Sequence, residues 1–307
     1  MTVLMTLGPL LLAMILGYVF PVKALTDARV SRGLTWLTNI ILAFVGFGIG
    51  SLDQLEDKLS IAGYNALWLF LLITGFNMAT LYLSGHLLDK AHRDQSQSAS
   101  QSIPFNWQNL SGALQTVGWA FAGGIAGYLL QQPLHFIDQV IIWLLYLLLF
   151  LVGRQLYLGN YRLRKLFLNP QGLIIATVTI VSTLLAGLTG AWALGLEVRE
   201  GLAVVSGFGW YSLTGILLTG MGSPVLGTTA FLLDLGREVA ALILIPFLSR
   251  LSCHINVGYS GATALDFTLP LLAKCHGASV IPNAIASGFI LSLAVPVLVP
   301  LLYTLGQ

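Results

Sequence analysis

Three charged residues, Asp234, Arg237 and Glu238, stand near the middle of an apolar stretch, 225–249, that is long enough to cross a membrane. An ionisable group at such depth costs about 2.5–3.5 kcal/mol on the insertion scale and marks a pathway or a relay. On a helix, Asp234 and Glu238 are i, i+4 neighbours, and Arg237 lies at i+3 from Asp234. The spacing permits an Asp234–Arg237 ion pair that would hold a bundle together. Glu238 would then lack a local partner, unless Arg237 serves it through rotamer choice. A lone carboxylate in an apolar interior can take up and release a proton near neutral pH. That is coupling chemistry, and it stands against a purely structural reading of the cluster.

Two further segments carry polar groups at membrane depth. "SGFGWYSLTG" at 206–215 combines Gly207, Gly209, Trp210, Tyr211, Ser212 and Thr214. "GYSGATALDFTLP" at 258–270 adds Ser260, Thr263 and Asp266. Helix-breaking backbone survives at that depth only inside protein or beside water, and its freed groups with half-helix dipoles bind ions and polar substrates. Small residues also permit tight helix packing with no further role. Two such segments flanking one charged helix favour a substrate pathway. Asp53 is ambiguous from spacing, as either the outer end of a span or a solvated residue of an acidic loop. Cys253-His254 and Cys275-His276 lack the spacing of a metal site, so neither a metal nor another cofactor is expected.

These residues need a scaffold, and composition names it. Of 307 residues, 56% are hydrophobic and 8% are charged, against roughly 25% charged in soluble domains. The mean hydropathy is +0.85. Fourteen basic residues nearly balance 12 acidic ones, so no nucleic-acid-binding face is expected. The fold class is therefore an all-α polytopic membrane bundle within a lipid bilayer. Eight spans are predicted, at 3–20, 34–52, 60–85, 111–131, 137–157, 171–194, 225–249 and 280–303. The broken stretches 201–222 and 258–273 read as kinked or re-entrant. Basic residues in short loops orient the chain. Lys23, Arg29 and Arg32, then Lys90 and Arg93, then Arg154, Arg162, Arg164 and Lys165 fall on the cytoplasmic side. Arg250 and Lys274 join them if 201–222 enters and leaves outside and 258–273 inside. Both termini are then periplasmic.

The chain divides into a six-span region, 1–200, and a region of broken helices and the charged span, 201–307. The first comprises two three-helix units, 1–85 and 111–194, joined by a polar loop with the Gln/Ser-rich patch 94–102. "LGYVFP" at 16–21 resembles "AGYLLQQP" at 126–133, and "ILAFVGFGIGSL" at 41–52 resembles "LLLFLVGRQLYL" at 147–158. Three spans per unit would invert the second copy, the plan of many secondary transporters. No nucleophile elbow, P-loop, Rossmann glycine set or zincin motif is present, so a transporter is expected rather than an enzyme. No stretch outside the spans is long enough for a nucleotide domain, so uphill transport would draw on ion gradients.

"SGFGWYSLTGILLT", "FLLDLGREVAALILIP" and "GATALDFTLPLL" resemble the signature segments of the bacterial LysO lysine-exporter family. "ASGFILSLAVPVLVP", "GYVFP" and "FVGFGIGSLDQL" are similar to it as well. The resemblance implies an inner-membrane exporter of L-lysine and its toxic analogue thialysine. It also implies functional intramembrane acids at Asp53 and Glu238, and so assigns Asp53 a role that loop composition denies it. Lysine and protons are the expected partners, with Glu238 the competitive site. A passive channel, an antiporter for another cationic or amino-acid substrate, and an intramembrane hydrolase remain as alternatives. Oligomeric state and discrimination among lysine, ornithine and arginine stay open.

Overall fold

The computed structural model describes residues 2–20, 25–51, 54–88, 111–130, 136–158, 169–249 and 251–305. All eight predicted spans are helices: α1 (Thr2–Val19), α2 (Asp27–Gly50), α3 (Leu55–Leu88), α4 (Ser111–Leu130), α5 (Phe136–Leu158), α6 (Pro170–Leu194), α9 (Pro224–Phe247) and α12 (Ile281–Thr304). Between them lie α7 (Val198–Val205), α8 (Tyr211–Gly220), α10 (Cys253–Ser260), a 3-10 turn (Gly261–Leu265) and α11 (Leu269–His276). Among the described residues, four helices, α2, α3, α6 and α12, are by length and apolar content long enough to cross a membrane. The protein is an all-α, multi-pass membrane bundle.

Local chemistry sets the helix ends. The Asn169 side chain accepts from the Gly172 N–H at 2.9 Å and Pro170 opens α6, a start at which Pro removes no needed donor. Gly195 closes α6 in the left-handed region at φ 68°. Helix α2 begins at Asp27 rather than near residue 34. The polar residues that suggested a loop, Arg29 and Arg32 among them, belong to its first turns.

Four of the first five helices pack in two reciprocal pairs. Helices α1 and α5 run side by side, as do α2 and α4. A Cβ on Gly17 would lie 1.9 Å from the Phe150 carbonyl oxygen, and one on Gly127 would lie 2.2 Å from that of Phe47. Likewise Gly153 abuts Met14 and Gly50 abuts Gly124, each with a Cβ-to-carbonyl approach of 2.0 Å. Exchanging α1 with α4 and α2 with α5 converts one set of contacts into the other, the relation an inverted repeat requires. The packing matches Phe47 with Phe150, one helical turn from the sequence alignment, which sets Phe47 against Gly153. The seams depend on missing side chains. A Cβ on Gly46 would lie 1.9 Å from the Ala120 carbonyl oxygen. Gly46→Ala must therefore part α2 from α4, and a loss of about 1–3 kcal/mol is expected, read as a lower Tm in detergent.

Helices α3 and α6 pack with each other and with helices of residues 198–304. Buried Asn77 of α3 donates to Thr183 of α6 at 3.2 Å and accepts from Ser182 at 2.6 Å. Asn169 of α6 donates to Asn283 of α12 at 3.0 Å, so these helices start at the same end of the bundle. We call it the lower end. Helix α7 descends from the top of α6, placing Gly201 against Ala191 and Val205 against Gly187. Helix α8 climbs back, and Ser223 after it bonds the Tyr303 hydroxyl near the top of α12. The α7–α8 segment is thus re-entrant from the upper end. Helix α10 rises from the lower end and α11 returns, with Asn256 and His276 in contact at 2.7 Å. This second hairpin is re-entrant from below. Both segments therefore enter and leave on one side, as their interrupted composition suggested.

Candidate functional site

The hairpin tips meet in mid-bundle, where the Ala262 N–H donates to the Phe208 carbonyl at 2.9 Å. Phe208, fully buried, has φ 49°, a left-handed conformation that bulky residues adopt only under surrounding constraint. Gly261 opposes it at φ 65°, and a Cβ there would lie 2.0 Å from the Phe208 oxygen. The chain can close this approach only with glycine at 261.

Helix α9 passes beside both tips and places its three charged residues in the interior, with Asp234 0%, Arg237 1% and Glu238 4% exposed. Asp234 accepts from the Gly209 N–H at 2.8 Å, fastening the upper tip. Its other oxygen and the Thr214 hydroxyl crowd Gly207, where a Cβ would lie 1.8 and 2.1 Å from them. Arg237 donates from Nε to the Tyr259 carbonyl at 3.0 Å and from Nη2 to the Gly258 carbonyl at 3.1 Å. Those carbonyls end α10, where unpaired acceptors and the helix dipole favour a cation. The guanidinium also lies 5.7 Å from the Tyr259 ring centroid, and the Tyr259 hydroxyl pairs with Thr74 at 2.9 Å.

No ion pair within 4.0 Å forms inside α9 among the described residues. The Asp234–Arg237 pair that spacing permits does not close at that range, because each side chain turns to a different hairpin. Glu238 is left over. Its Oε2 is buried without a hydrogen-bond partner, and the residue lines a cavity of about 550 Å³. Asp266 lines the same cavity and is exposed to it, with one oxygen accepting from the Phe267 N–H at 2.5 Å.

The cavity collects Gly209, Trp210, Tyr211, Ser212, Glu238, Thr263 and Asp266 from the sequence-derived set. Gly207, Thr214, Asp234, Arg237 and Ser260 sit behind that lining and hold the hairpins. Asp53 lies outside the described residues. The opposite wall was missed from sequence: Asp27, Ser31, Thr35, Thr38 and Asn39 of α2, with Gln115 and Gln155. Its signal was present, since 27, 31, 35 and 39 recur at i+4 on one helical face. That face forms a polar track about 18 Å long running from the lower end toward the tips. Three acids line the cavity, and no Lys, Arg or His does so among the described residues.

The lysine exporter LysO family model matches residues 117–303. The chain is 38% identical over 293 residues to the lysine exporter LysO of Escherichia coli strain K12, covering 94% of this chain and 96% of the relative. It is 39% identical over 176 residues to a candidate lysine exporter of Haemophilus influenzae, covering 57% of this chain and 90% of that protein. No solved structure matches the chain. The family match spans more than half of the chain and the similarity runs over nearly its full length: the chain belongs to the lysine exporter LysO family.

Proposed function

We propose that this protein exports L-lysine, and with it thialysine, from the cytoplasm across the inner membrane in exchange for protons. One observation carries the reading: Glu238 is a buried carboxylate with an unpartnered oxygen, facing a cavity that has acidic residues and no lysine, arginine or histidine in its lining among the described residues. An ammonium group satisfies that carboxylate, and so does a proton. The two therefore compete for one group, which is the requirement for antiport. Moving lysine's net positive charge outward opposes about 2.3 kcal/mol per 100 mV. One proton entering per lysine leaving removes that penalty.

In this account the lower end is cytoplasmic, both termini are periplasmic, and Asp53 shapes the outer pathway. Asp266 holds the second ammonium group. Lysine's carboxylate lies toward Tyr211 and Ser212 at the start of α8. Asp234 and Arg237 pin both tips to α9, so access alternates by movement of the hairpin bundle against α1, α2, α4 and α5 rather than by opening of one tip. Proteoliposomes loaded with labelled lysine and placed in acidic medium test the exchange. Efflux should accelerate with the pH gradient and lose that acceleration on adding an uncoupler. Efflux indifferent to the uncoupler would establish a passive channel instead.

Asp27 stands exposed at the foot of the α2 track and gathers cations there. Asp27→Asn should raise the KM for cytoplasmic lysine about threefold to tenfold with kcat unchanged, the signature of a lost approach contact.

A further inference from the structure

The cavity is built to read ammonium groups and is poorly equipped to read a carboxylate. The hairpin backbone that could hold an anion is largely spent. The Gly209 N–H goes to Asp234, that of Ala262 to the Phe208 carbonyl, that of Phe267 to Asp266 and that of Thr268 to the Thr263 carbonyl. Arg237, behind the lining, donates to two carbonyls of α10. What remains for a carboxylate carries no full positive charge: the start of α8 at Tyr211 and Ser212, and hydroxyl and amide side chains such as Ser31, Asn39 and Gln115. Against this stand Glu238 and Asp266, with Trp210 and Tyr211 beside them. Aromatic faces also favour cations.

We infer that the transported class extends to α,ω-diamines of lysine's chain length, which keep both ammonium groups and lack the carboxylate. The inference rests on the antiport site proposed above and deepens it. With Glu238 and Asp266 ionised, a diamine's two positive charges are matched by two carboxylates, whereas lysine brings an extra negative charge that no basic residue in the lining receives among the described residues. The converse analogue, 2-aminohexanoate, keeps the carboxylate and loses the terminal ammonium group. It leaves one acid unpaired, and a site built around such a contact rejects the analogue lacking it.

The test removes one end group at a time. Proteoliposomes holding the wild-type protein exchange labelled lysine in the presence of the five-carbon diamine or 2-aminohexanoate. Labelled diamine uptake against internal unlabelled diamine is measured separately. The diamine should inhibit with a potency within about tenfold of lysine, and 2-aminohexanoate roughly a hundredfold more weakly. Labelled diamine should enter by exchange, and Glu238→Gln should abolish that entry. Normal lysine exchange without diamine uptake overturns the inference and leaves lysine export standing. Inhibition by 2-aminohexanoate at lysine's potency overturns it too, because the carboxylate would then be what the site reads. Diamine exchange without lysine exchange supports the inference and counts against the lysine reading.

Discussion

Glu238→Gln is expected to reduce lysine efflux at least a hundredfold while the protein still inserts and folds. Glutamine keeps the size and shape of the side chain, so the packing of α9 against its neighbours persists. What is lost is the ability to hold either a proton or an ammonium charge in turn. A buried charged group without a partner destabilises the fold that contains it, and Glu238 has an oxygen in that state. The Tm of the variant in detergent should accordingly match or exceed that of the wild type. Lost transport with preserved stability separates a coupling role from a structural one. Undiminished efflux with unchanged proton coupling would remove Glu238 from the mechanism.

Gly261→Ala should abolish transport for the opposite reason, by breaking the support rather than the chemistry. Gly261 has φ 65° and ψ −133°, a region essentially closed to residues with a side chain, and such strain alone costs about 1–3 kcal/mol. Its added methyl would also lie 2.0 Å from the Phe208 carbonyl oxygen, so the tips must separate and the Ala262–Phe208 hydrogen bond fails. We expect a Tm lower by about 5 °C or more and no measurable lysine exchange. Gly222 supplies the control. It too has positive φ, at 87°, but a Cβ there meets nothing within 4 Å. Gly222→Ala should therefore lose a little stability and keep transport. Equal damage from both substitutions would show that backbone strain, not contact between the tips, is what matters at 261.

Much of this architecture was legible in the residues. Uninterrupted apolar length located the eight long helices, because a bilayer tolerates few polar side chains over about 20 residues. Gly, Ser, Thr and Pro marked both hairpins, because such residues interrupt helices wherever their freed backbone finds partners. The division of labour inside α9 was not legible. Spacing brings Asp234 near Arg237, but only the folded hairpins supply the Gly209 N–H and the α10 carbonyls to which each side chain turns. The start of α2 was hidden for a related reason. Asp27 and Ser31 look like loop residues until their face is seen to line a cavity. Packing equates Phe47 with Phe150 rather than with Gly153, one turn from the sequence match, because apolar sequence resembles itself in several registers. The Gly17 and Gly127 contacts fix the register.

The central claim is that lysine and a proton move in opposite directions through one carboxylate. Its most direct test is proton movement driven by lysine alone. Proteoliposomes are loaded with lysine and an internal pH-sensitive dye, with equal pH on both sides and the membrane potential clamped near zero. The outward lysine gradient should draw protons in and acidify the interior with wild-type protein, and should leave the pH unchanged with Glu238→Gln. Lysine efflux from wild-type vesicles without acidification would contradict the account.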